Sequence, residues 1–248
     1  MTRALHAEWT KLRTMSGPWW LLLGTIAATV ALSAGAASVV RCASTGCGGD
    51  TTGVGLTGVP LGQAPVAVLA VLVISGEYGS GLIRTTLTAV PRRVTVLAAK
   101  AVTLSGLVAV AGTVAVLGSL LAGRLILRGP GTLALFLAEG PTLRAVVWSV
   151  LHLLLIALLG LGVATAVRDS ATSIGIVLGL LYVVPILSLT ISDPYGQRML
   201  AKLAPASPGL LARATGAPVT PWADLGVTAG WAAAALLTGG VLLCRRDV

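Results

Sequence analysis

The stretch Ser75–Lys100, SGEYGSGLIRTTLTAVPRRVTVLAAK, decides how the rest of this chain is read. It carries Glu77, Arg84, Arg92, Arg93 and Lys100, whereas only 10% of all residues are charged. Long apolar segments flank it on both sides. A charge at the centre of a bilayer costs roughly 2.5–3.5 kcal/mol on insertion scales. The stretch is therefore predicted to lie outside the hydrocarbon, and its cationic bias predicts the cytoplasmic side. Ile83, Leu87 and Val90 recur at i, i+4 and i+7, one apolar stripe of a helix. Arg84, Thr85 and Thr88 fall off that stripe. Gly79 and Gly81 loosen the entry, and Pro91 stops the helix. On the residues alone, an interfacial helix on lipid headgroups and a docking helix for a cytoplasmic partner stand as alternatives.

Composition sets the class. The 248 residues are 56% hydrophobic with a mean hydropathy of +0.95, far outside soluble-domain composition. This is the profile of a polytopic membrane protein, and the length suits a single membrane domain. The net charge is +9, but the cations are scattered among loop ends with no contiguous basic patch, which argues against nucleic acid as a partner.

Outward from the opening stretch, six spans are expected: 19–40, 62–76, 94–123, 143–167, 170–192 and 222–243. Residues 1–17 precede them as a basic amphipathic helix. Its stripe of Leu5, Trp9 and Leu12 is set against Arg3, Lys11 and Arg13, with Glu8 between, as suits the membrane interface. A signal-peptide n-region is the rival, but the 19–40 segment is long enough to span. The 62–76 span is short and needs neighbouring loop residues or a thinner local bilayer. Lys100, near the start of the third span, is expected to snorkel to the inner headgroups. Pro185 is expected to kink the fifth span, where Gly175 and Gly179 form a small-xxx-small pair. The inner segments hold Arg3, Lys11, Arg13, Arg84, Arg92, Arg93, Lys100, Arg168, Arg245 and Arg246; the outer ones hold Arg41, Arg124, Arg128, Arg144, Arg198, Lys202 and Arg213. That ten-to-seven balance favours both termini inside.

The run GEYGSGLIRTTLTAVPRR resembles the segment after the second transmembrane helix in ATP-binding-cassette (ABC) permeases of the type-2 export family. Ala7–Thr14, AEWTKLRT, resembles the same family's opening amphipathic helix. Where many members carry Arg-Thr, this chain has Gly79-Ser80. The resemblance implies that 77–93 is a cytoplasmic coupling segment seated on a separate ATPase subunit. Glu77, Tyr78, Leu82, Ile83, Arg84, Thr85, Leu87, Thr88, Arg92 and Arg93 would then be its contact residues. It further implies a second permease subunit, identical or related, with ATP and magnesium held by the partner ATPase and no cofactor in this chain. Short helices in the 193–221 connection, dipping toward the outer leaflet, belong to the same implication.

Chemistry is sparse. No Gly-Lys pair exists among Lys11, Lys100 and Lys202, so the chain lacks a phosphate-cradling G-x-x-x-x-G-K-[ST] loop. Gly53, Gly55 and Gly58 match G-x-G-x-x-G, but no strand precedes them and a span follows. Cys42 and Cys47 lie in the first outer loop, spaced for a small disulfide ring or standing as two free thiols; Cys244 is too far away to join them. No Cys/His cluster has metal spacing. His152 lies inside the fourth span, one turn after Trp148, as a proton relay, a substrate contact or a neutral imidazole bonded to a neighbouring helix. Glu77 ends the second span, as a solvated interface charge or as a partner for Arg84 or for a basic residue of the ATPase.

The expected architecture is an all-α polytopic membrane protein: six transmembrane helices, an N-terminal interfacial helix and a cytoplasmic coupling helix, in a bacterial plasma membrane with both termini cytoplasmic. The expected function is the permease subunit of an ABC exporter for a hydrophobic or amphiphilic drug, antibiotic or lipid. The alternative is a non-transporting scaffold or sensory component that binds a cytoplasmic ATPase.

Overall fold

A computed structural model describes residues 2–14, 16–39, 56, 58–82, 93–127, 140–190, 205 and 221–245. The elements are α1 (Thr2–Thr14), α2 (Ser16–Val39), α3 (Val59–Gly79), α4 (Arg93–Leu127), α5 (Gly140–Val167), α6 (Ser170–Leu178), a π turn (Gly179–Val183), α7 (Val184–Thr190) and α8 (Pro221–Arg245). No strand occurs among the described residues. Six helical segments are long and apolar enough to cross a membrane, with α6, the π turn and α7 together making the fifth. The chain is an all-α polytopic membrane protein, the only α-helical solution to satisfying backbone polar groups in hydrocarbon.

The helix ends follow local chemistry. Pro60 stands in the first turn of α3, where its missing N–H costs nothing. The helix closes at Gly79, and Gly81 takes φ +71°, the left-handed conformation that ends a helix without steric penalty. The second span is therefore 21 residues long, not the short 62–76 segment expected from sequence. It draws, as a short span must, on neighbouring residues: 59–61 at its start and 77–79 at its end, where Glu77 stays helical and finds cations inside the fold. At the other turn, the Arg168 N–H bonds Ala164 O at 2.9 Å, and Asp169 caps α6 by accepting from the Thr172 N–H at 2.7 Å. That hydrogen bond holds the Asp169 carboxyl below its usual range.

The expected kink at Pro185 takes a specific form. Pro185 has no N–H to continue the α ladder. The chain responds one turn earlier with the π turn, where the Val184 N–H reaches back five residues to Gly179 O.

α5 sits at the centre, packed on α3, α4, α6 and α8, while α2 packs on α3 and α4. Leu69, Ile74, Leu104, Leu153, Ile156 and Leu161 are buried between these helices. Small residues set the crossings, since lipid tails supply no hydrophobic drive between helices. A Cβ on Gly162 would fall under 3 Å from the backbone of Ala235 and Leu236 in α8. Gly239 of α8 lies equally close to Gly162 O. By contrast, a Cβ on Gly175 or Gly179 would meet nothing, so the small pair expected to receive a helix receives none among the described residues. The third span runs to Leu127 rather than 123, and at 35 residues α4 measures about 50 Å at 1.5 Å per residue. That exceeds the roughly 30 Å hydrocarbon core, so α4 tilts or projects beyond it.

Substituting Gly162→Ala is expected to destabilise the bundle by about 1–3 kcal/mol through overpacking at the α5–α8 crossing. Gly175→Ala is expected to be neutral or slightly stabilising. Thermal unfolding of the two variants in the same detergent checks the contrast.

Candidate functional site

One end of the bundle gathers most of the charge. α1 presents Glu8 and Lys11 at i, i+3, hence on one face. α3 brings Glu77 in its last turn, and α4 brings Lys100 two turns after its start. The Lys100 ammonium donates to Glu77 Oε1 at 2.6 Å and to Glu8 Oε2 at 2.9 Å. Lys11 donates to the same Glu77 oxygen. Lys100 is 0% exposed, Glu77 2% and Glu8 6%. An isolated ammonium at such a site would be prohibitively costly, whereas two carboxylates at hydrogen-bond distance compensate it. Lys100 therefore does not snorkel to the headgroups as its sequence position suggested. α1 covers the site, and Glu8 takes the place that water would hold.

A second layer surrounds this junction. The Arg168 guanidinium lies over the Tyr78 ring at 5.4 Å, and Arg168 holds φ +67° to reach it. Arg93, the first residue of α4, donates to Leu243 O at 2.8 Å, satisfying a carbonyl of the last turn of α8. The segment 83–92 is thus rooted on both sides: through Glu77 and Tyr78 where α3 ends, and through Arg93 and Lys100 where α4 begins.

Of the residues singled out from sequence, Glu77, Tyr78 and Arg93 meet other helices of this chain. Leu82 is 47% exposed just past the end of α3. Ile83, Arg84, Thr85, Leu87, Thr88 and Arg92 lie outside the described residues, as do Cys42 and Cys47 and the side chains of Leu5, Leu12 and Arg13. Among the described residues the cations on Glu77 are Lys100 and Lys11, neither of which the sequence reading named; Arg84, which it did name, lies outside them. Trp9 is exposed, as an interfacial tryptophan should be. Glu8, however, turns into the bundle, so α1 is bound to protein as well as suited to lipid. Cys244 is a free, exposed thiol.

A separate polar contact lies deeper in the bundle. His152 Nε2 meets Gln63 Oε1 of α3 at 3.1 Å, and both side chains are buried. The Trp148 ring stacks on His152 with centroids 5.5 Å apart and planes 8° from parallel. Tyr182, carried by the π turn, donates its hydroxyl to Pro60 O at 2.7 Å. The bond from His152 to a neighbouring helix thus joins α5 to α3. Gln63, which supplies it, went unnoticed in the sequence although an amide in an apolar span is itself a signal. Among the described residues, no group of three or more His, Cys, Asp or Glu side chains is placed to hold a metal.

No family model matches the chain, and no curated protein matches it.

Replacing Lys100 by Met strands Glu8, leaves Glu77 with Lys11, and is expected to cost about 3–5 kcal/mol, whereas Lys11→Met, at a partly exposed position, should cost far less. Unfolding midpoints in detergent decide between them. His152→Leu should cost about 1–3 kcal/mol by leaving Gln63 Oε1 unsatisfied, and adding Gln63→Leu should recover most of that loss. A double-mutant cycle on the same midpoints measures the coupling.

Proposed function

We propose that this chain is the permease subunit of an ABC-type exporter. The observation that carries the reading is the double rooting of residues 83–92. The segment whose sequence resembles a coupling helix leaves α3 beside Glu77 and enters α4 beside Lys100, and these two side chains bond at 2.6 Å. A load applied to that segment is therefore shared by α3 and α4, and through Glu8 by α1.

In this reading the charged end faces the cytoplasm, in keeping with the ten-to-seven cation balance, and the membrane is the bacterial plasma membrane. A separate ATPase binds ATP and magnesium and seats on 83–92. Its closure pushes the segment, and the buried ion pairs pass the push to the helices without slack. Two permease subunits, identical or related, enclose the pathway. The open glycine faces of α2 and α6, at Gly24, Gly35, Gly175 and Gly179, suit the lining or the contact between subunits. With charge confined to the helix ends, a hydrophobic or amphiphilic cargo fits better than an ion.

Arg84→Glu combined with Leu87→Asp is expected to abolish co-purification of a P-loop ATPase while leaving membrane insertion intact. Unchanged co-purification would remove the docking role of the segment. Cargo-stimulated ATPase activity in reconstituted vesicles separates an exporter from a scaffold that merely binds the ATPase.

A further inference from the structure

We propose that α1 is a detachable latch on the charged end of the bundle, held by exchange between two ion pairs. The faces of α1 carry the argument. Among its described side chains, His6, Ala7, Trp9, Thr10 and Thr14 are exposed, Lys11 is partly buried, and Glu8 alone is fully buried. Neither described apolar side chain, Ala7 or Trp9, is buried against the bundle. An amphipathic helix fixed permanently to a bundle would bury its apolar face. Among its described side chains, this one turns Glu8 inward, half-buries Lys11 and leaves Trp9 outward at 47% exposure, a side chain suited to the membrane interface.

The charges balance in both states. α1 contributes Glu8 and Lys11, one of each sign. The bundle contributes Glu77 and Lys100, again one of each sign, bonded to each other at 2.6 Å without help from α1. Docking brings two neutral pairs together. Undocking leaves each pair neutral and strands no uncompensated buried ion, the outcome that makes breaking an ordinary buried salt bridge so unfavourable. Glu77 Oε2 has no hydrogen-bond partner among the described residues, so Lys100 can turn to it when Glu8 leaves. The α3–α4 root survives the release of α1, and Trp9 keeps the freed helix at the membrane. This deepens the export reading in one respect: where that reading holds, α1 regulates how stiffly the root of the coupling segment is held. The latch itself requires no ATPase.

The test uses pulsed electron paramagnetic resonance on the full chain in lipid nanodiscs, with Cys42, Cys47 and Cys244 replaced by serine. Spin labels at Ala7 and Val102, both exposed, report α1 against α4; labels at Leu72 and Val102 report α3 against α4. The otherwise native chain should give one dominant Ala7–Val102 distance. The swapped chain Glu8→Lys/Lys11→Glu keeps the net charge of α1 unchanged but turns like charges onto Lys100 and Glu77. It should move at least half of the molecules to a longer distance while the Leu72–Val102 distance stays fixed. The neutral chain Glu8→Gln/Lys11→Gln should shift in the same direction and carries the test alone if the swapped chain does not insert. An unchanged Ala7–Val102 distribution would overturn the proposal, because docking would not depend on these charges. So would a Leu72–Val102 distance that broadens together with it, because α1 would then be an integral part of the bundle. Neither distance involves an ATPase, so failure here leaves the export reading standing, and failed ATPase co-purification leaves the latch standing.

Discussion

The Lys100 ammonium, sealed from solvent between α1, α3 and α4, imposes the constraint that the rest of the charged end obeys. A buried cation needs carboxylates, and the acids within reach come from two different helices. Glu77 therefore stays helical, which lengthens α3 to Gly79 and places the turn at Ser80 and Gly81. Glu8 must come in from α1, which ties one side of the N-terminal helix to the protein while Trp9 stays exposed. Once Glu77 and Lys100 are bonded, the chain between them can leave and return only at one place. A site that a hydropathy profile reads as a loop end is thus a joint among three helices.

The interior away from the charges follows a different rule. Between helices in hydrocarbon, close backbone approach and polar contacts replace hydrophobic drive. Gly162 and Gly239 allow α5 and α8 to touch backbone to backbone, and Gly160 fits against Ala67 and Ala70 of α3. The His152–Gln63 contact and the Tyr182–Pro60 bond tie α3 to α5 and to the π turn. The π turn is the local cost of Pro185, yet it also carries Tyr182, whose hydroxyl reaches the first turn of α3. The two ends of α3 are thus fixed by different means, ion pairs at Glu77 and neutral hydrogen bonds at Pro60 and Gln63.

Much of this was legible before any coordinates. The six spans, the leading helix, the tight turn at Arg168-Asp169 and the break near Pro185 all follow from apolar runs, prolines and charge placement. The joint was not legible, although every member stood in plain view. Lys100 looked like a snorkelling residue and Glu77 like the end of a span, because each was judged by depth along its own helix. Glu8 was one acid in a basic segment and carried no pattern of its own. Gln63 was passed over because a single polar residue in an apolar run leaves the span assignment unchanged.

By itself, the sequence determined that this is a membrane protein of six spans with a charged segment between the second and third, because hydropathy and bilayer thickness are one-dimensional constraints that a chain satisfies residue by residue. Only the tertiary structure decided which charges meet, that Glu8 of α1 turns into the bundle, and which glycines are contact points rather than open positions among the described residues. Those outcomes depend on the rotation of each helix about its axis and on partners far apart in the chain, such as Glu8 and Lys100, which no local pattern encodes.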